Sequence, residues 1–119
     1  MPGPFTPSRL CRLDDIADPG SAGFTIATAD GPTEVMVIRQ GSRAFAYVNL
    51  CPHWDAPLDM KPGQFLDRDR QHILCANHGA VFRIEDGFCL AGPCRGASLQ
   101  PVPCAVEGSD VVLTGSSRA

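Results

Sequence analysis

Two short stretches of the chain carry residue types that could hold a metal. Cys51-Pro52-His53 and Cys75-Ala76-Asn77-His78 each bring one soft thiolate and one imidazole close together. Jointly they form a Cys₂His₂ donor set. Two centres use that set: a single tetrahedral zinc, or a [2Fe–2S] cluster in which two histidines replace two cysteines on one iron. Spacing separates the alternatives. Paired ligands in zinc knuckles usually stand two or more residues apart, so that both side chains wrap one ion. Cys51 and His53 have only Pro52 between them, whose ring fixes φ, and wrapping both around one ion would be strained. A binuclear cluster removes the strain, because the two ligands of each stretch can go to different irons. Cys51 and Cys75 would then hold one iron, and His53 and His78 the other. An incidental origin would need two unrelated Cys/His pairs to fall at matching places in the fold.

Those places are strand ends. Residues 34–40 (EVMVIRQ) and 44–49 (AFAYVN) are rich in β-formers and are joined by Gly41-Ser42-Arg43, a hairpin connection. The first Cys/His stretch follows directly. The second follows a brief strand at 72–74, and another at 81–84 comes after it. Asp86-Gly87 marks a hairpin between 81–84 and 88–90. Strands are also expected at 9–13, 24–28 and 111–113, with a break at Asp18-Pro19-Gly20, a turn at Lys61-Pro62-Gly63 and a loop at 92–96. Residues 56–61 could form a single helical turn. The 12 glycines and 11 prolines cut the chain into short pieces and disfavour long helices. An all-β, antiparallel domain follows.

The 119 residues make one domain, with loose ends expected at 1–8 and 114–119. An apolar fraction of 44% with 19% charge is a globular mixture and argues against disorder. With 10 Lys and Arg against 13 Asp and Glu, the chain lacks the basic excess of a nucleic-acid binder. The longest apolar run, 44–48, is far too short to span a bilayer. The opening MPGPFTPSRLCRL has neither an apolar signal core nor a twin arginine, so a cytoplasmic location is expected. In that compartment six cysteines with nearby histidines point to a metal before a disulfide framework.

Cys-x-His followed by Cys-x-x-His resembles the signature of the Rieske family, specifically its soluble ferredoxins. The flanks agree: CPHWDAPL runs on through Pro57 and Leu58, and CANHGAVF carries Gly79, Ala80 and Phe82. GFCLAGPCRGASL resembles the glycine–proline loop that covers the cluster from a third side, with Gly92-Pro93 in that role. The resemblance spans about residues 34–113. It implies an antiparallel β-sandwich with an inserted cluster-binding subdomain at about residues 50–81. It also implies a [2Fe–2S] cluster on Cys51, His53, Cys75 and His78.

The departures bear on potential. The high-potential branch carries two cysteines that bridge its cluster loops, where this chain has Ala56 and Asn77. It also carries a serine that bonds a cluster sulfur, where this chain has Ala80. Without that donor the reduced state is less stabilised, which implies the low end of the Rieske range, roughly −150 mV.

Other residues read more plainly. Cys89 and Cys94 lie near the third loop but are expected to be small buried groups, as are Cys11 and Cys104. His72 is expected at a solvated strand position. Trp54 is expected to anchor its loop, or to shield the cluster or meet a partner. Asp55, Asp59, Asp67 and Asp69, interleaved with Lys61, Arg68 and Arg70, are expected to form a mixed solvated face.

The resemblance implies a one-electron carrier and not an enzyme. Ring-hydroxylating oxygenases of the family add a much larger mononuclear-iron domain, for which this length leaves no room. The expected partners are a flavin-dependent reductase as donor and a terminal oxygenase as acceptor, with no nucleic acid or membrane. The alternatives are the small subunit of a nitrite-reductase-type complex and, in a different class, a zinc-stabilised interaction module.

Overall fold

The computed structural model describes residues 8–28, 31–52, 58–59, 63–75 and 79–114. Two of the four expected ligands, His53 and His78, lie outside these, as do Trp54, Asp55, Ala56, Lys61 and Asn77. The expected loose ends do so as well, except Ser8 and Thr114. Of the expected helical turn at 56–61, only Leu58 and Asp59 are described, and neither is helical.

The strands are β1 (Ser8–Arg12), β2 (Gly20–Thr28), β3 (Gly31–Gln40), β4 (Arg43–Val48), β5 (His72–Leu74), β6 (Val81–Arg83), β7 (Cys89–Ala91), β8 (Pro101–Val102), β9 (Cys104–Glu107) and β10 (Asp110–Leu113). Among the described residues the one helical element is a 3₁₀ turn, Leu13–Asp15. Three antiparallel sheets result, ordered β1-β10-β9, β2-β3-β4-β8 and β5-β6-β7.

The middle sheet is buried on both faces, which explains why β3 reads as continuously apolar instead of alternating. Successive side chains of a strand point to opposite faces. Val35 and Val37 join one core with Cys11, Ile16, Val111 and Leu113 from the β1-β10-β9 side. Met36 and Ile38 face the other way, into a second core with Phe65, Ile73, Phe82, Cys51 and Cys75. β4 divides likewise: Ala46 and Val48 enter the first core and Tyr47 the second. A one-residue slip of the β3–β4 register would reverse both assignments. The sandwich thus forms a floor on which the small β5-β6-β7 sheet stands.

Tyr47 ties the small sheet down. Its hydroxyl donates to the Ile84 carbonyl at 2.5 Å. The β6–β7 hairpin closes over its ring at Gly87, where φ is +73° and a Cβ would lie 2.8 Å from Tyr47 Cε1. Only glycine satisfies both conditions. The small sheet continues to Ala91, so the part standing on the sandwich extends past the expected limit near residue 81. β8 and β9 occupy a stretch for which no strand was expected. Pro101 is tolerated because β8 is an edge strand.

Candidate metal centre

The first Cys/His loop leaves the end of β4 and is closed by one buried amide. Asn49 is 4% exposed. Its Oδ1 accepts the Leu58 N–H at 2.8 Å, and its Nδ2 donates to Asp59 Oδ1 at 3.0 Å. Its own N–H donates to the Glu34 carbonyl at 2.8 Å. One side chain therefore fastens both ends of the segment that contains Cys51 and His53. Asp59 carries the contact onward, with Oδ2 accepting the Gly63 N–H at 3.0 Å. Ser21 Oγ then donates to the Gly63 carbonyl at 2.7 Å and accepts the Phe65 N–H at 3.1 Å. Buried polar groups cost free energy unless bonded, and this chain of bonds satisfies each in turn. Asp59 is thus a structural tie to the sandwich and not part of a solvated face.

The second loop spans the β5–β6 hairpin. Cys75 N–H donates to the Ala80 carbonyl at 2.8 Å, and Gly79 N–H donates to the Cys75 carbonyl at 2.9 Å. Gly79 has φ +73°, which permits the reversal. β5 is braced from behind by the Leu74 N–H on the Phe65 carbonyl at 2.8 Å. Asp67 caps the turn before β5, accepting the Gln71 N–H at 2.9 Å and the His72 N–H at 3.2 Å, with His72 Nδ1 at 3.3 Å. Burial opposes ionisation of Asp67, but these amides and the His72 ring outweigh it and hold its carboxyl below the usual range. His72 is accordingly half-buried and partnered. Arg70 also departs from a plainly solvated reading, since its guanidinium donates to the Pro19 carbonyl at 3.1 Å.

The third loop closes against the second. Gly92 has φ +100°, and a Cβ there would lie 2.7 Å from Ala80 Cα. Within this loop the Cys89 N–H bonds the Ala97 carbonyl at 2.8 Å and the Ala97 N–H bonds the Cys94 carbonyl at 2.9 Å. Cys89 and Cys94 are buried, as expected, and their sulfurs lie 3.3 Å apart. Burial, followed by the contacts with Cys89 and Cys51, pushes the Cys94 thiol up to about 12. Cys11 and Cys104 sit apart from these, with the sandwich core.

Cys51 and Cys75 are 1% and 0% exposed, and both belong to one apolar cluster with Ala80. None of the six cysteines is in a disulfide. Two unbridged thiols, each at the entry to a hydrogen-bonded loop, are a soft donor pair suited to iron or zinc. An apolar wall that includes Leu58, Phe65 and Phe82 lies around them. Sequence reading did not single out Asn49 or Tyr47, and it placed Asp59 on a solvated face. The available signal was Asn49 itself, a polar residue ending an apolar strand directly before a ligand motif.

A family model described as the Rieske [2Fe-2S] domain matches residues 7–110. Among solved structures, the ferredoxin of carbazole 1,9a-dioxygenase from Nocardioides aromaticivorans IC177 is 29% identical. That match covers 91% of this chain and 96% of the other, with a TM-score of 0.72. A Sphingomonas yanoikuyae B1 ferredoxin is 27% identical over 91% of this chain and 97% of its own, with a TM-score of 0.67. A chain from a complex of reduced oxygenase and oxidized ferredoxin in carbazole 1,9a-dioxygenase is 21% identical, a likeness of fold alone. It covers 95% of this chain and 96% of its own, with a TM-score of 0.73. No curated protein matches.

Proposed function

This chain belongs to the Rieske [2Fe–2S] domain family, and we propose that Cys51 and Cys75 hold one iron of its cluster while His53 and His78 hold the other. One observation carries the assignment: the cysteines of the two Cys/His motifs share one buried apolar cluster, each at the mouth of its loop. When bound, the cluster supplies a one-electron couple. The chain's own residues hold and shelter it. Asn49 and Asp59 fix the first loop, and the Cys75–Ala80 and Gly79–Cys75 backbone bonds fix the second. Leu58, Phe65 and Phe82 keep water from the thiolate side.

The chain is a ferredoxin-type electron carrier. Its proposed donor is a flavin-dependent reductase and its proposed acceptor a terminal oxygenase, without catalysis of its own. The acceptor is supported by the Nocardioides ferredoxin, which serves carbazole 1,9a-dioxygenase, and by the solved complex of oxygenase with ferredoxin. Encounters of this kind are weak and bury less than about 1,200 Å². A cytoplasmic setting fits these partners; among the described residues no helix is long and apolar enough to cross a membrane. Anaerobic stopped-flow mixing of the reduced holoprotein with the terminal oxygenase of a carbazole dioxygenase tests the pairing. The reading expects the cluster to be re-oxidised as the oxygenase is reduced. Re-oxidation no faster than in buffer would count against this class of acceptor.

A further inference from the structure

The third loop carries two thiols outside the proposed ligand set. Cys89 Sγ and Cys94 Sγ lie 3.3 Å apart, and a disulfide would bring them to about 2.0 Å. The backbone already holds the pair in place. Cys89 donates its N–H to the Ala97 carbonyl at 2.8 Å and accepts the Gly96 N–H at 3.2 Å, while the Cys94 carbonyl accepts the Ala97 N–H at 2.9 Å. The loop is thus closed by hydrogen bonds before any covalent bond forms, and joining two groups held together is an intramolecular step. The Cys89 S–H donates to the Ala91 carbonyl at 3.2 Å. Ala91 is exposed, so water replaces that donor at little cost when the proton leaves.

We propose that Cys89 and Cys94 are a redox modification site, closed to a disulfide within the third loop by exchange with a low-molecular-weight disulfide such as oxidised glutathione. Cys94 is the entry point: it is 7% exposed against 0% for Cys89, and its neighbours Pro93 and Arg95 are exposed. Its sulfur loses a proton to water and attacks one glutathione sulfur; the glutathione disulfide breaks and one glutathione thiol leaves. The Cys89 sulfur then loses its proton and attacks Cys94 Sγ, and the second glutathione leaves as a thiol. Two cysteines are oxidised by two electrons, and one disulfide is reduced to two thiols. Burial favours the thiol over the attacking thiolate, so the uncatalysed exchange takes minutes to hours. In a reducing compartment such a bond is transient and reports oxidising conditions. The closed ring contains Gly92, which packs against Ala80 of the second loop. The bond therefore pins the third loop over the metal centre, a consequence that rests on the proposed ligand set.

Holoprotein incubated with oxidised glutathione, then denatured, alkylated and digested with trypsin, tests this directly. Cleavage after Arg83 and Arg95 places Cys89 and Cys94, with no other cysteine, in one peptide. In the parent that peptide should lose two hydrogens and both alkylation sites. Cys89→Ser should stop at a mixed disulfide of Cys94 with glutathione. Iron release from the oxidised parent to a chelator should fall roughly threefold or more, a fraction of the stabilisation that a disulfide typically brings. Two alkylated cysteines in the parent, or a mixed disulfide that persists there, overturn the modification site. An unmodified Cys94 in Cys89→Ser overturns the order of attack. A disulfide that leaves iron release unchanged overturns the pinning. None of these results touches the ligand assignment, which fails separately if the visible spectrum of the starting holoprotein is not that of a [2Fe–2S] cluster.

Discussion

Replacing Asn49 with alanine tests whether one buried amide holds the first ligand loop. The substitution removes two polar groups, Oδ1 and Nδ2, from a site that is 4% exposed. The Leu58 N–H, now bonded at 2.8 Å and buried, loses its acceptor, at a cost of about 1–3 kcal/mol for an unpaired buried donor. Asp59 loses its 3.0 Å donor but keeps the Gly63 N–H and has access to water, so that term is smaller, about 1 kcal/mol. The sum, about 2–4 kcal/mol, is a large share of the 5–15 kcal/mol that typically separates folded from unfolded domains. For a domain of this size it corresponds to an apparent Tm lower by on the order of 10 °C. Calorimetry of the holoprotein at one scan rate reads the shift. The rate of iron release to a chelator reads the loop and should rise in parallel. A variant within about 0.5 kcal/mol of the parent, with unchanged iron release, would refute the claim that Asn49 closes the loop.

Further outcomes follow from the same geometry. Tyr47→Phe leaves the Ile84 carbonyl without its donor and should cost about 1–2 kcal/mol in urea unfolding, with the midpoint potential unchanged. Ala80→Ser places a hydroxyl beside Gly92, which has no side chain to block it. It should raise the potential by on the order of +50 to +100 mV in voltammetry. Asp67 has its carboxyl pKa lowered from 3.8, so its stabilisation is fully present above the unfolded value. That stabilisation fades as pH falls through the lower, folded value. The stability advantage of the parent over Asp67→Asn should be constant near neutrality and shrink below about pH 4, as read by urea unfolding across pH.

The hairpin β3–β4 and the small strands β5 and β6 are legible in the sequence because β-branched and aromatic runs end at glycine-bearing turns. The two Cys/His motifs are legible because their chemistry is local. What escaped depends on contacts between distant residues. β2 begins at Gly20, four residues ahead of the strand expected at 24–28. Its first residues, Gly20-Ser21-Ala22-Gly23, have low β-propensity. They are strand because β3 pairs with them from Gly20–Arg39 onward. Asp59 reads as a solvated acid until the fold brings Asn49 and Gly63 to it. Cys89 and Cys94, five residues apart, read as separate buried groups; the turn at Gly92 makes them neighbours.

The central claim is that two histidines and two cysteines hold the cluster, although Cys89 and Cys94 share the buried cluster of Cys51 and Cys75 and would complete an all-cysteine set. Electron spin-echo envelope modulation on the dithionite-reduced holoprotein, with natural and ¹⁵N-labelled histidine, addresses this directly. Modulation from two histidine nitrogens is predicted, altered by the isotope and retained in His72→Asn. A reduced [2Fe–2S] signal with no histidine nitrogen coupled to it would contradict the account.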